Sequence, residues 1–303
     1  MPLFDTLHQG LRALRFRLQE AKIRRLFMKH SKSEGNFDAP RTYGEKVQFR
    51  KLYGNHAFYG RLADKVLVRD HVKERIGGDA LIPLLGVYGH LDDGILDALP
   101  RSFVIKSSNA SKWNEIVFDK DRMNRHRTIR YFNRKLKKRY SRKFGEVHYD
   151  YGTPRIVIEE LLLDGGQLPW TTDFFCYNGS KGFDFAVCVS SPDELHKGHY
   201  DRDWNLLEGN LTEEMESARI RTPLTPKMVE IARELSRGID FVRVDLYGVG
   251  DRVYFGEMTF TPGAGLGLIK NPARARMRDR MWELDRNNPL LYRNPADVRA
   301  GKI

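Results

Sequence analysis

Two carboxylates set in apolar surroundings are the first feature of this chain that could do chemistry. Asp245 lies in Phe241-Val242-Arg243-Val244-Asp245-Leu246-Tyr247, and Glu257 in Val253-Tyr254-Phe255-Gly256-Glu257-Met258-Thr259. Side chains alternate faces along a strand, so Val242, Val244 and Leu246 can face a core while Arg243 and Asp245 share the other side. A loop of Gly250-Asp251-Arg252 would pair Val249 with Val253, set Asp245 opposite Glu257 and Arg243 opposite Thr259. Directly opposed side chains stand about 4.5–5.5 Å apart at Cβ, and like charges there destabilise a sheet. Mg2+ would offset that repulsion, because it is a hard cation that combines one or two carboxylates with substrate phosphates. The pattern therefore predicts Asp245 and Glu257 as metal ligands. Arg243 beside them could hold phosphate oxygens and stabilise charge that develops there. The alternative is a solvated hairpin in which Arg243 simply neutralises Asp245, and the apolar flanks argue against it. The next loop, Thr261-Pro262-Gly263-Ala264-Gly265-Leu266-Gly267, has the composition of backbone that comes close to a ligand.

Such residues need a scaffold, and 303 residues are enough for two compact domains or one large one. Apolar residues make up 41% and no run approaches the length of a membrane-spanning helix, which points to an ordinary globular chain. Asp5, Arg12, Arg15 and Arg17 interrupt any apolar core of a secretory signal. Cys176 and Cys188 sit in apolar strand-like runs and fit buried free thiols of a reducing cytoplasm better than a disulfide. Along the chain, residues 1 to about 35 predict one basic amphipathic helix with Leu3, Leu7, Leu11, Leu14 and Leu18 on one side. A polar break from Ser31 to Pro40 follows. Short helices and strands then alternate to about residue 163, with Phe103-Val104-Ile105 and Arg155 to Leu163 as buried strands. Beyond that come two hairpin-like units separated by a helix from Thr225 to Arg237, then a polar helix from Ala273 to Leu284 and a tail.

The net charge of +12 is concentrated. Arg122 to Lys143, read as one helix, carries eleven Lys or Arg and no acid, and residues 1 to 35 add eight basic side chains against three acidic ones. Ile129, Phe132, Leu136 and Tyr140 form a narrow apolar stripe on the first of these segments. A face of one sign suits a polyanion: an acidic polysaccharide, lipid headgroups or, least expected, nucleic acid. The N-terminal helix could lie on the inner surface of a membrane or pack on the globular body. His196 and His199, without further ligands nearby, read as loop residues rather than a metal site.

The hairpin, with the run Tyr254 to Gly263, resembles the metal-binding core of the ATP-grasp superfamily, and within it the TupA-like proteins linked to teichuronopeptide and other cell-surface polysaccharide synthesis. The resemblance runs from about Gly60 to Pro272. Ala63-Asp64-Lys65 before a helix from Val66 to Ile76 resembles the segment of the first nucleotide lysine, and Phe103-Val104-Ile105-Lys106 the strand that ends in the second. Ile156-Val157-Ile158-Glu159-Glu160-Leu161-Leu162 resembles the hinge that receives adenine, and Asp173 stands in the place of a ribose-binding acid. The family's glycine-rich phosphate loop is altered: the chain reads Lys106-Ser107-Ser108-Asn109-Ala110-Ser111-Lys112-Trp113-Asn114, which keeps Ser111 but replaces both glycines, by Ala110 and Lys112. Thr259 stands where many ATP-grasp enzymes have an asparagine metal ligand.

The resemblance implies an α/β (α+β) ATP-grasp fold: a basic helical N-terminal region and linker over 1–60, a small lid subdomain over 61–163, a large catalytic subdomain over 164–285 and a tail over 286–303. It implies ATP and Mg2+ as cofactors, held by Lys65, Lys106, Ser111, Glu159, Glu160, Leu162 and Asp173 for the nucleotide and by Asp245, Glu257 and Thr259 for the metal. Arg243 and Lys106 become the catalytic residues. The implied reaction joins an amine to a carboxylate through an acyl phosphate, on an acidic glycan or glycolipid precursor, in a cytoplasmic protein that can touch the inner face of the membrane. A non-catalytic nucleotide- and polyanion-binding protein and a sugar kinase are the alternatives.

Overall fold

The computed structural model describes residues 2–220 and 222–303. The first half contains helices α1 (Pro2–Ser31), α2 (Tyr43–Tyr53), α3 (His56–Ala63) and α4 (Val68–Ile76), strand β1 (Leu84–Tyr88), and helix α5 (Asp93–Ala98). The hairpin β2 (Phe103–Ser107) and β3 (Asn114–Val117) follows, then helices α6 (Arg125–Leu136) and α7 (Ser141–Phe144) and strand β4 (Ile156–Glu159). These strands form an antiparallel sheet in the order β1-β4-β2-β3. Phe103, Ile105, Ile156 and Ile158 on one of its faces bury Phe132 of α6, which gives this sheet its own core, whereas α1 to α4 pack into the core of the second half.

The second half contains β5 (Thr171–Gly179), β6 (Gly182–Ser190), β7 (Lys197–Tyr200), β8 (Leu206–Gly209), α8 (Glu213–Arg219), α9 (Leu224–Ser236), β9 (Phe241–Val249) and β10 (Arg252–Thr259). Helices α10 (Pro272–Met281) and α11 (Pro295–Arg299) complete the chain. The strands form a six-stranded antiparallel sheet in the order β10-β9-β5-β6-β7-β8. Alternation splits its side chains cleanly. Phe174, Cys176, Val242, Val244 and Leu246 bury one face against Met228, Ile231, Ala232 and Leu235 of α9. On the other face Phe175, Tyr177, Cys188 and Phe241 pack under Tyr43, Val47 and Trp282, which cover only one end of it. The uncovered end is where Asp173, Asp245 and Glu257 stand. Cys176 and Cys188 are free and lie on opposite faces of this sheet, so they cannot be bridged.

A buried arginine fastens these parts together. Arg50 of α2 donates to Asp240 at 2.5 Å, to the carbonyls of Phe241 at the start of β9 and Phe260 just after β10, and to Tyr292 Oη. Asp240 also accepts from Trp282 Nε1 and Tyr292 Oη. The aromatic faces of Tyr59 and Trp282 lie 4.9 and 4.5 Å from the guanidinium carbon, so the charge is enclosed by rings and paired once.

Two expected elements differ. The basic segment 122–143 is not one helix: α6 ends at Leu136, and α7 is a single turn closed by Gly145 at φ +74°. Adjacent cations with no acid at i+4 favour a break there. It lets Tyr140 leave the stripe and pack against Trp113 and Tyr149, while Ile129, Phe132 and Leu136 stay on the small sheet. In α1 the buried side is Phe16, Ile23 and Phe27, and Leu7, Leu11, Leu14 and Leu18 point to solvent, while the side chain of Leu3 lies outside the described residues. The tail returns to this helix, where Arg12 Nε donates to the carbonyl of Gly301. His199, expected in a loop, lies in β7 opposite Cys188.

Candidate active site

The register of β9 and β10 sets Glu257 opposite Asp245 and Thr259 opposite Arg243, as strand alternation predicts, but by another route. The turn has two residues, Gly250 and Asp251, not three, with Gly250 at φ +59° as the first position of a type II′ turn requires. The extra residue is Gly256, a bulge between the pairs Phe255↔Leu246 and Glu257↔Asp245. The bulge switches the alternation, so that Phe255 turns into the core while Glu257, two residues on, turns into the cleft. A Cβ at position 256 would stand 2.8 Å from the ring of Tyr247 and 3.0 Å from the carbonyl oxygen of Asp245, so only glycine fits without displacement. On the far side of β9, Asp173 of β5 pairs with Asp245. Asp173, Asp245 and Glu257 therefore form a row of three carboxylates across three neighbouring strands.

Arg243 reaches into this row. Its Nε and Nη2 donate to the two oxygens of Asp245 at 2.6 and 2.5 Å, and Nη2 also donates to Glu257 Oε1 at 3.0 Å. Thr259 Oγ1 donates to the same Glu257 oxygen at 2.7 Å. Asp173 Oδ1 is buried with no hydrogen-bond partner. Burial pushes the carboxyls of Asp245 and Asp173 above the usual carboxylate range, against the pull of Arg243. Burial also pushes Glu257 upward, but Lys65 and Arg243 outweigh it, and its carboxyl lies below the usual range.

The facing wall comes from the small sheet and the segment before α4. Asp64 accepts from the backbone of Val66 and Leu67, and the amide of Lys65 donates to the carbonyl of Ser108, which ties that segment to the end of β2. Lys65 Nζ donates to the carbonyl of Ala110 at 2.7 Å and stands 4.0 Å from Glu257 Oε2, and burial lowers its pKa. Lys106, at the end of β2, donates to Glu159 Oε2 at 2.6 Å, and Arg69 donates to Oε1 of the same carboxylate at 3.1 Å. Both oxygens of Glu159 are thus engaged within the protein. Between β2 and β3 the loop holds Ala110 buried and Lys112 at φ +61°, the left-handed conformation that glycine favours.

Lys65, Lys106, Ser111, Asp173, Arg243, Asp245, Glu257 and Thr259 all line one cleft of about 1340 Å3. Glu159, Glu160 and Leu162 are not among its lining residues. Glu160 is exposed, with its amide bonded to the carbonyl of Pro83. Sequence reasoning missed Glu146, which lines the cleft, and Lys51, which is buried behind it. Glu146 accepts from Thr261 Oγ1, and burial raises its pKa. Buried Lys51 donates to Gln48 Oε1 and to the carbonyls of Phe144 and Ala264. Neither stands in a motif. The only signal is a basic pair, Arg50-Lys51, set between Phe49 and Leu52, and an acid that ends the long basic run. The cleft's rim carries Lys135, Lys137, Lys138, Arg139, Arg142 and Lys143.

The residues suit a divalent metal. Two facing carboxylates and a threonine hydroxyl are hard oxygen donors, and the Asp173 oxygen without a hydrogen-bond partner stands on the neighbouring strand. Among the described residues no three His, Cys, Asp or Glu side chains are already drawn together as a metal cage, because Arg243 lies between the carboxylates.

The sequence matches the family model TupA-like ATPgrasp over residues 45–272. No curated protein matches the chain. Similar solved structures include D-alanine-D-alanine ligase from Helicobacter pylori, at 14% identity and TM-score 0.42, with 74% of this chain covered and 61% of that one. The chain thus spans less than two thirds of that ligase. A RimK domain ATP-grasp protein from Sphaerobacter thermophilus is 16% identical, with TM-score 0.43 and coverage of 82% and 83%. D-alanine-D-alanine ligase from Bacillus anthracis in complex with ATP is 14% identical, with TM-score 0.41 and coverage of 82% and 72%. The family match spans well over half of the sequence, in an α+β fold with the carboxylate hairpin and both lysines inside the matched segment, and the chain belongs to the TupA-like ATPgrasp family.

Proposed function

We propose that the cleft binds ATP with Mg2+ and that the protein is an ATP-dependent carboxylate–amine ligase acting on a cell-surface polysaccharide or glycolipid precursor. The observation that carries this reading is the convergence of Lys65, Lys106 and Arg243 on a row of three carboxylates within one cleft. A surface with both signs at such density suits a metal–polyphosphate ligand: the anions take the metal and the cations take the phosphates. Asp245 and Glu257 would hold the metal, with Thr259 beside them and Asp173 in reach of the metal or the ribose. Bound there, the metal supplies charge neutralisation along the phosphate chain.

Lys65 and Lys106 would neutralise phosphate oxygens, and Ser111 with the backbone of its loop would cover them. Arg243 would release Glu257, and in part Asp245, to stabilise charge on the transferred phosphoryl group. An acceptor carboxylate attacks the terminal phosphorus and ADP leaves. An amine then attacks the acyl carbon and inorganic phosphate leaves. The segment 159–162 would receive adenine through its backbone, since the Glu159 side chain is occupied by Lys106 and Arg69.

The mainly basic rim supports an acidic acceptor such as a uronic-acid polymer, and the basic first helix supports work at the inner face of the membrane. The test is to supply ATP, Mg2+, uronic-acid oligomers and amino acids, and to follow ADP together with the mass of the acceptor. ADP with an amide-linked product supports the ligase. A stable phosphorylated sugar means a kinase, and tight ATP binding with no ADP means a binding protein.

A further inference from the structure

Helix α1 carries two apolar stripes, and only one of them is used by the fold. Phe16, Ile23 and Phe27 are buried against the body. Leu7, Leu11, Leu14 and Leu18 recur at steps of four, three and four. At 3.6 residues per turn they lie roughly half a turn from the buried stripe. They are 62, 43, 52 and 65% exposed. Four leucines in line on one helix make a continuous apolar strip of the kind that marks an interaction surface.

Charge decides what covers it. The charged residues beside the strip are Arg15, Arg17, Lys22 and Arg25, all basic. The acid of the helix's middle, Glu20, lies on the other half and is paired with Arg24. If a second copy covered the strip, leucine to leucine as in a coiled coil, Arg15, Arg17 and Lys22 would flank the seam from both chains and meet like charges. An anionic lipid surface meets both features: the leucines enter the acyl boundary and the arginines and lysines stay among the headgroups. The strip also ends beside the cleft. Lys22, one turn past Leu18, donates to the carbonyls of Ser141 and Arg142 in α7, whose Arg142 and Lys143 belong to the cleft rim.

We propose that the outer leucine strip of α1 is a docking surface for an anionic bilayer, and that docking sets the basic rim of the cleft against the headgroup layer. This deepens the reading of a lipid-linked acceptor proposed above, but its test does not depend on catalysis. The full chain is sedimented with vesicles of phosphatidylcholine alone and of phosphatidylcholine mixed with phosphatidylglycerol. Binding is expected only to the mixed vesicles, and it should weaken as salt is raised. The combined variant Leu11→Ser, Leu14→Ser, Leu18→Ser should lose at least about tenfold in vesicle affinity, since each exposed leucine contributes several buried carbons to an interfacial helix. Because these side chains are exposed, the melting temperature and ATP binding in the absence of vesicles should stay as in the parent. Absence of binding to the mixed vesicles, or a leucine variant that binds them as the parent does, would overturn the proposal. So would sedimentation velocity that shows a dimer which the leucine variant dissociates. Nucleotide binding measured in the same samples shows separately whether the cleft reading stands.

Discussion

Asp173 and Asp245 stand directly opposite each other across β5 and β9, and one oxygen of Asp173 has no partner. Two buried acids in that position cannot both ionise freely, and burial holds both carboxyls above the usual range. A metal ligand must be deprotonated, so Mg2+ should displace a proton from this pair. Mg2+ affinity is therefore expected to fall as pH drops, and to do so already above the ordinary carboxylate range near about 4. Calorimetry in buffers of different ionisation enthalpy measures the released proton. The variant Asp173→Asn should release less.

Arg243 separates the roles of its two partners. Removing it strands three carboxylates side by side, and Arg243→Ala should lower apo stability by about 3–5 kcal/mol. Mg2+ without nucleotide should restore much of that loss, which thermal melts with and without the metal would record. Asp245→Asn leaves Arg243 its bond to Glu257 and relieves the repulsion with Asp173, so its apo loss should be smaller, about 1–2 kcal/mol, while binding of Mg–ATP is abolished. An asparagine variant that binds Mg–ATP normally would remove the hairpin from the nucleotide site.

The loop over the cleft asks for a glycine that it does not have. Lys112 is held at φ +61°, where a residue with a Cβ is strained by about 1 kcal/mol or more. Lys112→Gly should therefore be neutral or stabilising by up to about 1 kcal/mol and should not weaken ATP binding, as denaturation curves and a binding titration would show. A large loss of ATP affinity would mean that the lysine's charge, not the loop's shape, serves the nucleotide.

Lys51 gives a pH signature. Burial lowers its pKa to about 8, below the ordinary lysine value of the unfolded chain. Between about pH 8 and 10.4 the unfolded chain binds the extra proton, so this residue's contribution to stability rises with pH there, by up to about 1.4 kcal/mol per unit. Below that window the charge is present in both states, and the fold carries the cost of burying it. The difference in stability between the parent and Lys51→Met, followed through this range, should shift in favour of the parent as pH rises.

The acid pair was legible because alternation is strict over the apolar run around Asp245, and Glu257 could be counted back from the turn. The route was not legible. A three-residue loop and a two-residue turn with a bulge give the same pairing at Asp245, and what chooses between them is the demand of the core for Phe255. The position of Asp173 beside Asp245 depends on a pairing between distant strands, which no local pattern encodes. Glu159 looked open to a ligand because nothing in the sequence places Arg69 and Lys106 around it. In α1 the leucine spacing marked an apolar face that could lie on a membrane or on the body, and a helix with two opposed apolar stripes does not say which one the body takes.

The arginine at the centre of the fold has a consequence for how the molecule opens. One guanidinium holds a carbonyl at the entrance to β9 and another at the exit from β10, and shares Asp240 with Tyr292 of the tail. These segments cannot fray one at a time, because freeing any of them uncovers a charge that the others enclose. In amide exchange they should behave as a single cooperative unit, with the tail protected as strongly as the strands that carry the carboxylate row.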